Sequence, residues 1–368
     1  MLPAVTIFNE RAFPLRIPYS CSMDPISQGV LGAATAQTVS GRITATELPD
    51  KKNRSTLWLA AVIGACAGMA PDLDVLITSP TDPLLFLEFH RQFTHALAFI
   101  PIGAGLCSLI AHQFVKRRIA FMHTYLVCLM GYATHALLDG CTSYGTQLFW
   151  PFSNARFAWN NVAVVDPLFT IPALVLVWLA LTKERRLFSW CALAWMLGYL
   201  ALGVVQRDRA LAFGAQLAEQ RNHNPVRLEV KPSFANLLVW KLVYEDAGIY
   251  YIEGVRTGIE VSHVPGERVA KLDLAKHAPW LDPASQQAKD IERFRWFSDD
   301  FLAPDKYHPH GIVDVRYSML PNEVRGLWGI SLDEHATTDQ HVEFYADRTL
   351  EADRRQRFID MLLFPDRL

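Results

Sequence analysis

From about Leu57 to Gln206 long apolar runs recur with charged residues confined to their ends, and from Arg207 onward charged and polar residues are spread evenly. A helix of about 20 apolar residues matches a hydrocarbon core of roughly 30 Å, so runs of this kind are the strongest constraint on what the chain can fold into. They divide the 368 residues into a membrane half and a soluble half. The expected fold is therefore mainly α: a polytopic helical membrane domain over 23–206, followed by a smaller soluble α+β domain over 207–368.

Four apolar stretches approach spanning length: Ala96 to Val115, Ile119 to Leu138, Val164 to Leu181 and Leu187 to Val205. Two earlier ones, Ile26 to Val39 and Leu57 to Ala70, are shorter and rich in Gly and Ala, which lets helices approach closely. The second spans only if the PDLDVL segment after it is included. Residues 1–22 lack the basic and apolar regions of a secretory signal, with Pro14 and Pro18 breaking a short mixed segment. Met23 reads as the start of the folded protein, with 1–22 disordered or upstream of the true initiator.

Basic residues orient the spans. Lys51, Lys52 and Arg54 precede the Leu57 stretch, Lys116 to Arg118 separate two spans, and Lys183, Arg185 and Arg186 separate the last two. The positive-inside rule puts all three clusters in the cytoplasm. The far ends of the spans and the C-terminal domain then lie outside it, as expected for a multi-pass protein of a bacterial inner membrane with a periplasmic C-terminal domain. In that domain NPVRLEV, LLVWKLVYEDAGIYYIEGV, GIVDVRYSML and RGLWGISL alternate and are β-branched or aromatic, the pattern of strands. Arg207 to Arg221 reads as a helix leading into it.

A net charge of -2 offers no basic field for nucleic acid. The six cysteines all precede the soluble half and include no CxxC, which excludes a zinc ribbon and gives no sign of a disulfide framework.

The same topology carries a set of ionisable residues to one membrane face. They lie in PDLDVL (Pro71 to Leu76), HRQFTH (His90 to His95), THALLDGCTSYGTQLFWPF (Thr134 to Phe152) and VVDPLFT (Val164 to Thr170). Ionisable groups at the edge of an apolar span are costly unless they pair, bind metal or line a wet cavity. His135 and Asp139, four apart, share a helical face. Asp72, Asp74, His90, His95, His135 and Asp139 supply the imidazole and carboxylate donors suited to one or two divalent ions, zinc foremost with manganese or iron as alternatives. Glu88 and Arg91 are the catalytic candidates, Glu88 as a general base or bridging carboxylate, against the commoner reading of a solvated interfacial Glu, and Arg91 as an anion-binding group or the partner of a site carboxylate. Thr94, Thr142 and Tyr144 are placed to orient ligands, and Asp166 before Pro167 reads as a helix N-cap ahead of a seventh ligand. His112, His123, His308 and His310 fall away from the set.

PDLD, HRxFTH, THxLLDxxTxYGTQLFWPF and a later VDP, in that order over roughly Met23 to Val205, resemble the YdjM-like inner-membrane proteins, a family described as metal-dependent hydrolases and as LexA-regulated. The resemblance implies a membrane-bound metallohydrolase with the six Asp and His residues at metal positions. Gln28 and Val75 stand where some relatives carry His. The leading expectation is hydrolysis of a lipid or lipid-linked phosphoester at the outer leaflet, with membrane lipid and an amphiphilic substrate as partners and no nucleic acid. The alternative is a non-catalytic membrane assembly or envelope-stress protein in which the metal is structural.

Overall fold

A computed structural model of the chain describes residues 24–42, 52–349 and 351–364. The expectations for 1–22, Met23 and Lys51 lie outside these residues. The first half is built from α1 (Pro25–Val39), α2 (Lys52–Met69), the short α3 (Leu85–Phe89), α4 (Ile100–Val115), α5 (Phe121–Cys141), α6 (Pro167–Thr182) and α7 (Leu187–Gln220). Aspartate followed by proline starts two of them. Asp24 accepts from the Ile26 amide at 3.2 Å, and Asp166 accepts from the Leu168 amide at 3.1 Å, as N-caps do.

Helices α1, α2 and α5 meet along a glycine seam. A Cβ on Gly32 or on Gly131 would lie 2.4 Å from the Gly64 carbonyl oxygen, so these backbones touch only because the residues have no side chain. The outward faces stay apolar: Ile110 and Phe114 on α4, Leu168 and Trp178 on α6, and Leu197 and Val205 on α7 are all exposed. Surfaces of this kind on a helical bundle are covered by lipid.

Among the described residues three helical segments are long and apolar enough to cross a membrane: Thr56–Leu76, Leu97–Val115 and Leu187–Gln220. The first does include PDLDVL. Of the four stretches anticipated, Ile119 to Leu138 and Val164 to Leu181 fall outside this group. Helix α5 has the length, but its His and Thr residues lower its hydropathy, and α6 has 16 residues. Helix α7 also corrects the expected break at Gln206. It runs unbroken for 34 residues, about 50 Å at 1.5 Å per residue, and so reaches well past a hydrocarbon core.

The far end of α7, at Ala210 and Leu217, packs with Leu242 and Tyr244 of an antiparallel sheet. That sheet runs in sequence order through β1 (Arg227–Pro232), β2 (Val239–Asp246), β3 (Ile249–Thr257) and β4 (Val261–Ala270). A second antiparallel sheet contains β5 (Leu302–Pro304), β6 (Gly311–Asp314), β7 (Trp328–Ser331) and β8 (Glu343–Ala346). Val243, Tyr250 and Ile252 of the first pack with Ala303 and Val313 of the second, and α8 (Leu274–His277), α9 (Gln286–Phe297) and α10 (Ala352–Leu363) complete the C-terminal half.

The C-terminal half docks on the segments that follow α2 and α5. Tyr317 Oη donates to the Ser143 carbonyl at 2.5 Å, and Arg293 of α9 pairs with Asp82 at 2.8 Å and Glu88 at 2.6 Å. At the other end of the bundle Ser189 Oγ donates to Gln37 Oε1 at 2.8 Å, tying the start of α7 to the end of α1.

Candidate metal centre

Three segments deliver the polar residues to one place. Pro71 opens a 3-10 turn, Ala70–Leu76, which carries Asp72 and Asp74 away from the end of α2. His90 ends α3, Arg91 takes a left-handed conformation (φ 64°), and His95 closes a second 3-10 turn, Phe93–His95, ahead of α4. His135 and Asp139 stand one turn apart on α5, both with no exposed surface. Asp72, His95, His135 and Asp139 offer ligand atoms within 4.8 Å of one another, and Asp72, Asp74 and His90 form a second such group. All six expected positions therefore converge, with Asp72 common to both groups.

The spacing inside the first group tests whether an ion fits. Four ligands at 2.0–2.2 Å in a tetrahedron lie about 3.4 Å apart. His95 Nε2 is 3.5 Å from Asp72 Oδ1 and 3.2 Å from Asp139 Oδ2; His135 Nε2 is 3.4 Å and 3.7 Å from the same two atoms. The two Nε2 atoms face each other at 2.9 Å. His135 Nδ1 meets the Gly68 carbonyl at 2.5 Å, and a carbonyl only accepts, so Nδ1 carries the proton and Nε2 of a neutral ring the lone pair. His95 Nδ1 faces Asp74 Oδ2 at 3.2 Å, which fixes its tautomer the same way. Two imidazole lone pairs this close repel unless a positive charge lies beside them. Both oxygens of Asp72 and His90 Nε2 are buried without a hydrogen-bond partner, and Asp139 Oδ2 has the Arg91 ion pair but no hydrogen bond. The donor set fits a divalent cation of the zinc, manganese or iron type.

Neighbouring residues hold this arrangement. Asp74 receives His90 Nδ1 at 2.7 Å, Thr94 Oγ1 at 2.8 Å and the Arg91 amide at 3.0 Å, besides facing His95. Its oxygens are thus engaged in orienting two imidazoles. Asp139 Oδ1 accepts from Gln28 Nε2 at 2.9 Å, and its Oδ2 pairs with Arg91 Nε at 3.2 Å. Arg91 Nη1 donates to Thr142 Oγ1 at 3.0 Å, and the guanidinium lies over the Tyr144 ring, 5.4 Å from its centroid.

Of the two catalytic candidates, Arg91 is at the site, fully buried on a site carboxylate. Glu88 is not brought into either group, since its carboxylate turns to Arg293. Asp166 caps α6 and accepts from Tyr199 Oη at 2.8 Å, away from the cluster. His112 reaches Thr124 at 3.2 Å near the basic connection, and His310 packs on Trp280 in the C-terminal half. Gln28 is the contributor that residue chemistry alone passed over, because a glutamine inside an apolar Gly/Ala-rich helix gives no metal signal. Outside the spans, burial would raise the Asp82 carboxyl, but Arg293 and the Leu84 amide hold it below the usual range.

A helical bundle with lipid-facing apolar surfaces and a buried His/Asp cluster at one end defines a membrane protein with a candidate metal centre. The chain belongs to the YdjM inner membrane protein family, whose model matches residues 23–210. It is 28% identical over 266 residues to the uncharacterized protein YfhP of Bacillus subtilis (strain 168), covering 70% of this chain and 77% of that one. It is 30% identical over 105 residues to the inner membrane protein YbcI of Escherichia coli (strain K12), covering 27% of this chain and 60% of that one. The YfhP match is longer than the family span, so it extends beyond residues 23–210. No solved structure matches.

Proposed function

We propose that the chain is a membrane-bound metal-dependent hydrolase acting on a phosphoester of an amphiphilic substrate. The observation that carries this reading is the pair of imidazole Nε2 atoms 2.9 Å apart, each turned inward by an acceptor on its Nδ1 and flanked by Asp72 and Asp139. Asp72, His95, His135 and Asp139 would hold one divalent ion, and His90 with the second oxygen of Asp72 would serve a second. When bound, such an ion polarises a phosphoryl oxygen and acidifies water towards neutrality.

The chain's own residues set the conditions for that chemistry. Asp74 holds the protons of His90 and His95 on Nδ1, leaving both Nε2 atoms as donors to the pocket. Arg91 and Gln28 fix Asp139 from opposite oxygens, so its negative charge stays in place without solvent. The cluster's position at the end of apolar spans favours a substrate with a polar head and an apolar body.

A second reading, a structural metal in a non-catalytic assembly protein, is favoured by the complete burial of His95, His135 and Asp139. Hydrolysis of a panel of lipid phosphoesters by detergent-purified protein separates the two. The hydrolase reading expects turnover that disappears in Asp139→Asn with membrane insertion intact. Bound metal with no turnover on any member of the panel would instead favour the structural role.

A further inference from the structure

Between the segment after α5 and the C-terminal half lies a cavity of about 400 Å³, lined by Arg156, Asn160, Glu229, Lys231, Arg316 and Asp299 among others. Glu229 and Lys231 are two apart on β1, an edge strand, and so point to the same face. Lys231 is 5% exposed, yet its ammonium is loosely held: Glu229 Oε2 is at 3.2 Å, and the Ser143 carbonyl and Asn160 Oδ1 are each at 3.4 Å. Charge-assisted hydrogen bonds normally close to about 2.7–2.9 Å. Glu229 Oε2 has the Lys231 ion pair and no hydrogen bond besides it. The Lys231 side chain is buried and also faces the Tyr317 ring at 5.2 Å, while the Glu229 side chain is partly exposed, so the ammonium stands at the wall of the cavity with contacts longer than usual, and an anionic ligand entering the cavity would add a charged partner there.

The cavity also adjoins the metal cluster. Tyr144, Arg156 and Phe297 line it and line as well a narrow gap whose other walls include His90 and Arg91. Arg156 is held there by the Gly145 carbonyl at 3.0 Å and by the faces of Trp296 and Phe297, at 5.6 and 5.1 Å from their centroids. Trp296 of α9 is exposed at the cavity, and Phe149 and Phe152 are exposed on the connecting segment that also carries Arg156.

We propose that this chamber is the head-group site for an anionic phosphodiester bearing free hydroxyls, a polyol phosphate, with Lys231 and Arg156 donating to the phosphate and Glu229 accepting from a hydroxyl. The proposal rests on the hydrolase reading only for the fate of the ligand; binding itself is independent of turnover. Burial, with the nearby Arg316 charge, holds the Lys231 amine below its ordinary range, partly offset by Glu229, and a phosphate beside it would favour the charged form.

The test uses full-length protein in an uncharged maltoside detergent and two phosphodiester probes, oleoyl lysophosphatidylglycerol and glycerophosphoglycerol, with monoolein as the phosphate-free control. Wild type should bind the lysolipid at least about tenfold more tightly than monoolein, the scale of one charge-assisted hydrogen bond. Lys231→Met should remove that preference. Ala158→Trp, which fills the chamber from a lining residue and leaves the ion pair intact, should do the same, so that misfolding of one variant does not decide the matter. Binding of glycerophosphoglycerol as well would identify the free head group as sufficient, and binding of the lysolipid alone would mean that the chain contributes; either upholds the chamber. Lysolipid binding no tighter than monoolein, or variants that bind as wild type does, would overturn it. Metal content and turnover measured on the same samples keep this outcome separate from failure of the hydrolase reading.

Discussion

Asp74 separates what residue types announce from what geometry decides. The DxD pair was legible as a carboxylate cluster, but the division of labour was not. Asp74 faces His90, His95, Thr94 and the Arg91 amide, while Asp72 keeps two buried oxygens without hydrogen bonds. That division depends on the left-handed turn at Arg91, which a non-glycine residue does not advertise. Asp74→Asn should therefore weaken metal affinity by about 10–100-fold, the range for residues that orient ligands, measured by competition with a chelator. The surroundings of Glu88 were out of reach for a related reason: its partner Arg293 lies 205 residues away in sequence. Lys241 gives a second residue-scale prediction. Burial drives its amine down to about 7, against the pull of Asp314, Glu323 and Glu267. From about pH 7 upward the unfolded chain then binds a proton that the folded chain has released, so this residue's contribution to stability rises with pH towards the ordinary lysine value. Thermal unfolding followed by tryptophan fluorescence should show that rise between pH 7 and pH 9, and Lys241→Met should flatten it relative to wild type.

At the scale of elements, the longer helices of the first half were readable from apolar runs, the start of α6 from Asp166 before Pro167, and the Gly/Ala-rich stretches from their small residues. The length of α7 was not, because Arg207, Asp208 and Arg209 resemble a boundary when they only mark where the helix leaves its apolar stretch. The shortfall of α5 has the opposite origin: the polar residues that make the site make the helix less apolar. The glycine seam yields a direct expectation. A Cβ at Gly64 would sit 2.3 Å from the Ala36 Cβ and 2.5 Å from the Gly32 carbonyl oxygen, whereas one at Gly198 meets nothing within 4 Å. Gly64→Ala should destabilise the bundle by about 1–3 kcal/mol or more, the usual cost of overpacking. Gly198→Ala should be neutral or gain up to about 1 kcal/mol of helix propensity. Thermal melts of both variants in the same detergent decide it; equal melting temperatures would contradict the close-packed seam.

For the whole molecule, the His/Asp cluster and the C-terminal half share one end of the bundle, while the basic connections 116–118, between α4 and α5, and 183–186, between α6 and α7, belong to the other. Positive-inside sorting then predicts an extracytoplasmic C-terminal half. A periplasm-active reporter fused after Arg221, beyond the end of α7, should be active and a cytoplasm-active one silent; the reverse would invert both the topology and the side of the site. The strands of the C-terminal half were legible from alternation, but their partition into two sheets and their docking on Ser143 arise from long-range contacts that no local pattern carries. The central claim is that Asp72, His95, His135 and Asp139 hold a divalent cation. Its most direct test is elemental analysis of detergent-purified wild type, His135→Ala and His310→Ala after exposure to zinc, manganese and iron and removal of loosely bound ions. The account predicts stoichiometric divalent metal in wild type and His310→Ala and its loss from correctly inserted His135→Ala; no stoichiometric metal in wild type, or full retention in His135→Ala, would contradict it.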